Sequence, residues 1–268
     1  MLALARRLAA LVVLAGLALC GGSGRAAERA PVIAAAADLN AVLPEIASAF
    51  ERAGGRGVTL VFGSSGNFTQ QIAQQGASGG PFELFLSADE GYVEHLCAAG
   101  QTEDGGALYA VGRIGIFAPT GSPLEADGAL KNLAVALRDG RLARFAIANP
   151  EHAPYGRAAR EALAHAGLWD AIKPRLVFGE NVAQATQFAA SGSAQGGIVP
   201  LSLALTPALR DAGAFALIPD DWHGPLRQRM VLLKGASEAA RAFYSFLQGP
   251  EARSLFKRQG FVLPGGGS

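Results

Sequence analysis

The chain has 268 residues, of which 50% are hydrophobic and 17% charged, with a formal net charge of +1. That balance lacks the basic footprint that nucleic-acid binding demands, and no acidic tail stands out. Glycine is abundant, at 35 residues, which suits many tight strand-to-helix turns.

Residues 1–26 read as a secretory signal. Arg6 and Arg7 form a basic start, Leu8 to Leu19 is an unbroken run of apolar residues and glycine, and small residues lead to a cut after Ala26. A lipoprotein alternative rests on Cys20, but Leu19 is bulky where a small residue is expected before a lipidated cysteine. No second long apolar run follows, so the mature chain is expected to be soluble. Cleavage leaves Cys97 as the single cysteine, expected as a small buried residue on a helix with Val93 and Leu96.

Strands then alternate with helical periodicity. "PVIAAAA" predicts a buried strand, and Leu39, Val42, Leu43, Ile46 and Phe50 recur at helical spacing behind it. "VTLVF" predicts a second strand with a helix after Gly66, and "FELFLSA" a third, followed by the helical "DEGYVEHLCAAG". "LYAVGRIGIFAP" is a longer β-prone run without an immediate helix and reads as a crossover into a second lobe. There the rhythm restarts with "RFAIANP", a helix near 156–167, "RLVFG", a helix near 182–190, and "GGIVP". "QRMVLLK" follows residue 227, and amphipathic helices close the chain with Phe243, Phe246 and Leu247 on one face. This pattern predicts an α/β protein of two Rossmann-like lobes joined by a two-strand hinge with a cleft between them. The expected boundaries are lobe 1 at 27–117, lobe 2 at 118–226, and a return to lobe 1 at 227–268.

Ligands of open α/β sheets bind beyond the carboxyl ends of the strands. The turns there read "AADLN", "GSSGN", "NPEHAPYG" and "GENVAQ". Helix N-termini present unpaired N–H groups and the positive end of a dipole, so several of them facing one cleft make an anion site from neutral groups. Plain capping explains Ser64, Ser65 and Asp38 without any ligand, and Tyr155 is explained by packing of its ring. Enzyme patterns fit less well. "FGSSGN" carries Asn67 where a nucleophile elbow requires glycine, no Walker lysine follows the glycines, and no metal-ligand spacing occurs. A serine hydrolase pairing Ser65 with His152 as base is the alternative from another class. His95 and His165 fall on helix patterns and are expected to be solvated.

These stretches resemble the periplasmic molybdate-binding proteins of ABC transporters. The likeness spans about residues 31 to 264 and rests on "AAAADL", "FGSSGNFTQQI", "FLSADEGYVEHL", "IANPEHAPYGRAA", "GENVAQA", "GGIVPLSLA" and "GPEARSLFKRQGF". It implies the type II periplasmic-binding-protein fold, no enzyme activity and no cofactor. The ligand would be molybdate or tungstate, held as an oxyanion by hydrogen bonds with no bare metal cation, and sulfate or thiosulfate is the alternative. It further implies a monomer in the periplasm that delivers its ligand to an inner-membrane permease.

Carried over by position, Ser65 donates its hydroxyl and backbone N–H, Tyr155 and Val182 approach from the second lobe, and the first turn contributes at Asp38. Many relatives have Ser or Thr in place of Asp38, and a tyrosine used by some falls on Pro200. Asp38 is therefore expected to turn back and cap its own helix, accepting from Asn40 or Ala41, with its N–H and that of Leu39 left for the anion. The alternative has Asp38 pointing into the cleft beside a cation or a protonated ligand.

Overall fold

The structure is a computed structural model that describes residues 29–76 and 80–265. The expected signal segment, with Cys20 and the cut after Ala26, lies outside the described residues.

Two five-stranded sheets form two lobes. The first is built around β1 (Val32–Ala36), which runs parallel to β2 (Thr59–Gly63) on one side and β3 (Phe82–Ser87) on the other. Every residue of β1 is buried, as a central strand covered by helices on both faces must be. β4 (Ala107–Gly112) then ends the lobe's first passage. The second sheet contains β5 (Ile114–Pro119), β6 (Phe145–Ala148), β7 (Leu176–Gly179), β8 (Gly197–Pro200) and β9 (Gly213–Leu217), in the order β7-β6-β8-β5-β9. β10 (Leu226–Leu232) returns to the first sheet, antiparallel between β3 and β4.

The chain thus crosses between lobes at Arg113 and again between Leu217 and Leu226. The expected first boundary, after residue 117, falls inside β5. Ile114 to Phe117 pair with β8, and Gly115 to Pro119 pair with β9, so the whole strand belongs to the second sheet. The continuous β-prone run concealed a break of one residue between two strands of different sheets. β9 itself was not anticipated, because "GAFAL" is too short and too small-sided to show strand periodicity.

The helices cover both sheets. α1 (Leu43–Arg52) buries Leu43, Ile46, Ala47, Ala49 and Phe50. Phe50 meets Phe243 and Phe246 at ring-centroid distances of 5.2 and 5.3 Å. Those two rings lie on α10 (Glu238–Leu247), which is followed by α11 (Pro250–Arg258). Cys97 is half-buried rather than buried, and its sulfur accepts a hydrogen bond from the Thr102 hydroxyl at 3.2 Å. Among the described residues no helix is long and apolar enough to cross a membrane.

One apolar cluster joins the lobes. Ala36, Ala37 and Ala88 of the first lobe pack with Ala153, Tyr155 and Val182 of the second. All six sit at strand-to-helix turns, so the lobes meet at the ends where the sheets present their turns.

Candidate functional site

Four turns build the cleft. After β2, Ser64 caps α2 (Ser65–Gln75), and its hydroxyl accepts the Asn67 N–H at 3.3 Å. After β7, Asn181 caps α7 (Val182–Ala190), and its side chain accepts the Gln184 N–H at 3.1 Å. Each cap satisfies one amide of the first turn. Ser65 and Val182, each the first residue of its helix, therefore keep N–H groups with no intrahelical acceptor. After β6 the chain turns into α5 (Pro154–His165), where Pro154 starts the helix and Tyr155 follows. After β1, Ala37–Leu39 form a single 3-10 turn.

These turns enclose a small cavity lined by Ala37, Asp38, Ser65, Tyr155 and Val182, among others. Asp38 and Ser65 are 0% exposed, and Tyr155 and Val182 are 3% exposed, so the side chains on this wall are buried. Four of the five anticipated residues thus line one cavity. The fifth, Leu39, does not; its side chain packs in the first lobe's core with Leu43 and Ile46.

Direct bonds hold the lobes together over the cavity. The Gly66 N–H donates to the His152 carbonyl at 3.0 Å, and the Ser64 hydroxyl lies 2.9 Å from His152 Nδ1. Arg157 pairs with Asp89. A β-carbon on Gly66 would stand 2.5 Å from the His152 oxygen, so only glycine allows this approach. His152 therefore contacts Ser64 and not Ser65. The Ser65 hydroxyl instead accepts the Ala88 N–H at 3.0 Å, which leaves the pairing required of a nucleophile and base unmade.

Asp38 departs from expectation. It sits within the 3-10 turn and its side chain caps nothing. Oδ2 accepts the Tyr155 hydroxyl at 2.9 Å and the Gln228 amide at 2.6 Å. The Gln228 oxygen accepts the Tyr109 hydroxyl at 2.7 Å. The Ser202 hydroxyl donates to the Asp38 carbonyl at 2.8 Å. A cap would need Asp38 to precede its helix, whereas it stands inside a turn, too early to reach α1. Tyr155 is redirected with it, because its hydroxyl proton goes to Asp38.

Burial pushes the Asp38 carboxyl up from 3.8 to about 6, against the opposing hydrogen bonds from Gln228 and Tyr155. Burial, followed by the negative charge of Asp38, holds the Tyr109 and Tyr155 phenols well above their ordinary range. Asp38 Oδ1 is buried and without a hydrogen-bond partner.

The sequence reading missed Gln228, Tyr109 and Ser202. Gln228 had a faint signal, since strand alternation turns it to the opposite face from its neighbours Arg227 and Arg229, which pair with Glu90. Tyr109 and Ser202 lie in apolar runs, with nothing local to separate them from packing residues.

Two α/β lobes, two hinge crossings and a buried cavity formed by turns of both lobes define a bilobed solute-binding protein. The family described as bacterial extracellular solute-binding protein matches residues 31–262, and the chain belongs to it. The molybdate-binding protein ModA of Azotobacter vinelandii is 38% identical, over 96% of this chain and 98% of its own length. That of Rhodobacter capsulatus is 34% identical over 94% of each chain. The solved structure of the Azotobacter vinelandii periplasmic molybdate-binding protein superposes with a TM-score of 0.76 at 32% identity, covering 87% of this chain and 99% of that one. The match establishes the type II two-lobed fold, and members of this family bind solutes rather than catalyse reactions. The hydrolase alternative falls on that ground as well as on geometry.

Proposed function

We propose that this chain is the ligand-capturing component of an ABC importer for molybdate or tungstate. The observation that carries this reading is the ring of neutral donors from opposite lobes around one buried cavity. Ser65 comes from the first lobe, Val182 from the second, and no lysine or arginine lines the space. Helix N-termini with free amides suit a dehydrated oxyanion, and the similar proteins named above are molybdate-binding. Ser65 contributes its N–H and hydroxyl, Val182 its N–H, and the Ala37–Leu39 turn its backbone. Tyr155 contributes by fixing Asp38.

Each lobe carries part of the donor set, so the anion is fully satisfied only when the lobes close. Ligand binding then shifts an open–closed equilibrium. The closed form presents the surface that an inner-membrane permease reads. Residues 1–26 direct export to the periplasm, where the mature chain acts as a monomer. Thermal melting against molybdate, tungstate, sulfate and phosphate tests the reading. Ligand at about a thousandfold over its dissociation constant adds roughly 4 kcal/mol of stability. Molybdate and tungstate should raise the melting temperature strongly. A shift with sulfate alone would reassign the ligand, and no shift with any of the four would overturn the oxyanion reading.

A further inference from the structure

Asp38 is an awkward residue for an anion site. It is a wholly buried carboxyl on the wall of the cavity, and Oδ2 receives both of its side-chain hydrogen bonds while Oδ1 has no partner. Among the residues lining the cavity, Asp38 and Tyr155 are the only ones that titrate, and no cationic side chain stands there to offset a negative charge. From the neighbouring elements Asp38 is faced by Tyr155 on α5, Tyr109 on β4 and the neutral Gln228 on β10. His152 stands behind Ser64, with Glu180 3.5 Å from its Nε2.

From this arrangement we infer that Asp38 couples oxyanion capture to the uptake of one proton, carried on its unpartnered Oδ1 and donated to the bound anion. The inference rests on the oxyanion reading of the cleft. Like charges side by side with no cation between them disfavour each other's ionised form, so the carboxyl takes up a proton when the anion arrives. The proton comes from solvent, adds to Oδ1 and breaks no other bond. Oδ2 keeps both of its donors, so the hydrogen bonds joining the lobes survive. Protonation turns an orphaned acceptor into a donor on a residue that lines the cavity. It supplies the hydroxyl-like group that a serine or threonine at this position would provide directly. Burial favours the same outcome, since it already raises the carboxyl toward neutrality before any anion arrives.

Above about pH 6, where the carboxyl of the ligand-free closed form is ionised, capture must therefore draw a proton from solvent. The association constant should fall by up to about tenfold per pH unit in that range and level off below it. Calorimetric titration with molybdate and with tungstate, in two buffers of different ionisation enthalpy, counts the protons directly. The wild type should take up about one proton per anion near pH 7.5, and Asp38→Asn should take up none and bind with a flat pH profile. The variant also corrects for any protonation of the ligand itself. Wild type that binds either anion without proton uptake would overturn the inference, as would uptake that persists in Asp38→Asn. Wild type that binds neither anion at any pH would instead overturn the oxyanion reading.

Discussion

The Tyr155 hydroxyl of the second lobe donates to Asp38 Oδ2 of the first at 2.9 Å, and both groups are buried. The bond spans the hinge, with Gly112 packed so closely beneath it that an added β-carbon would stand 2.2 Å from the Tyr155 oxygen. It couples the lobes directly through a charged acceptor and a neutral donor. Such a bond contributes about 1.5–3 kcal/mol when the acceptor is ionised, and less when it is neutral.

Tyr155→Phe should therefore destabilise the ligand-free protein by about 1–3 kcal/mol at pH 8. The loss should be smaller at pH 5. The hydroxyl lowers the Asp38 pKa, so removing it raises the pKa further, and the extra cost appears only where Asp38 is charged. Urea unfolding at the two pH values measures the difference, and equal losses at both would show that the hydroxyl does not sense the carboxylate.

Asp38 itself imposes a pH dependence on folding. Its carboxyl lies at about 6 in the folded chain against 3.8 for the ordinary group. Between those values the folded state binds more protons than the unfolded state, so stability falls as pH rises from about 4 to about 6 and stays lower above. A shift of about two units corresponds to roughly 3 kcal/mol. Asp38→Asn keeps the shape and an acceptor for Tyr155 while removing the charge. Its stability should exceed that of wild type at pH 7 by about 1–3 kcal/mol, with this fall abolished. Chemical denaturation of both proteins across that range checks it.

Closure depends on a missing side chain. The Gly66 N–H reaches the His152 carbonyl at 3.0 Å, in a space that a β-carbon would fill to 2.5 Å from backbone. Backbone cannot step aside as a flexible side chain can. Gly66→Ala should weaken anion binding by about tenfold or more by holding the lobes apart, a cost of about 1.4 kcal/mol or more. The first lobe should not suffer, because alanine is a better helix former than glycine. Small-angle scattering should show the variant staying open at ligand concentrations that close the wild type. A variant that closes normally would remove the steric argument.

Much of this was legible in the sequence because the informative signals are local. The alternation of "VIAAA" and "TLVFG" with amphipathic stretches declares parallel strands, and the Ser64 cap is read from residue type and position alone. The glycine and serine of "GSSGN" likewise announce a helix start facing a ligand cleft. What escaped was non-local. Gln228 reaches Asp38 across 190 residues of sequence, and Ser202 across 164. Asp38 was misread because local chemistry favours a cap, and only the tertiary partners Tyr155 and Gln228 show why the carboxyl points inward. The crossover at Arg113 was blurred for a related reason, since two strands one residue apart look like one until their partners are known.

The serines of the pair have different tasks, and substitution should separate them. The Ser65 hydroxyl accepts the buried Ala88 N–H at 3.0 Å, which leaves its own proton free to be donated into the cavity. Ser65→Ala removes that donor and strands the Ala88 amide, so it should cost about 1–3 kcal/mol of stability. It should also weaken molybdate binding by about 1.5–3 kcal/mol, the worth of a hydrogen bond to a charged group. The Ser64 hydroxyl caps α2 through the Asn67 N–H and meets His152 Nδ1. Ser64→Ala should cost about 1 kcal/mol of stability through the lost cap. The lobes keep the bond from the Gly66 N–H to His152, so Ser64→Ala should reduce affinity only a few-fold, within about 1 kcal/mol. Calorimetry and urea melts on both variants give all four quantities. Equal losses of affinity in the two would mean that the proton facing the anion is not that of Ser65, and that closure through His152 governs binding instead.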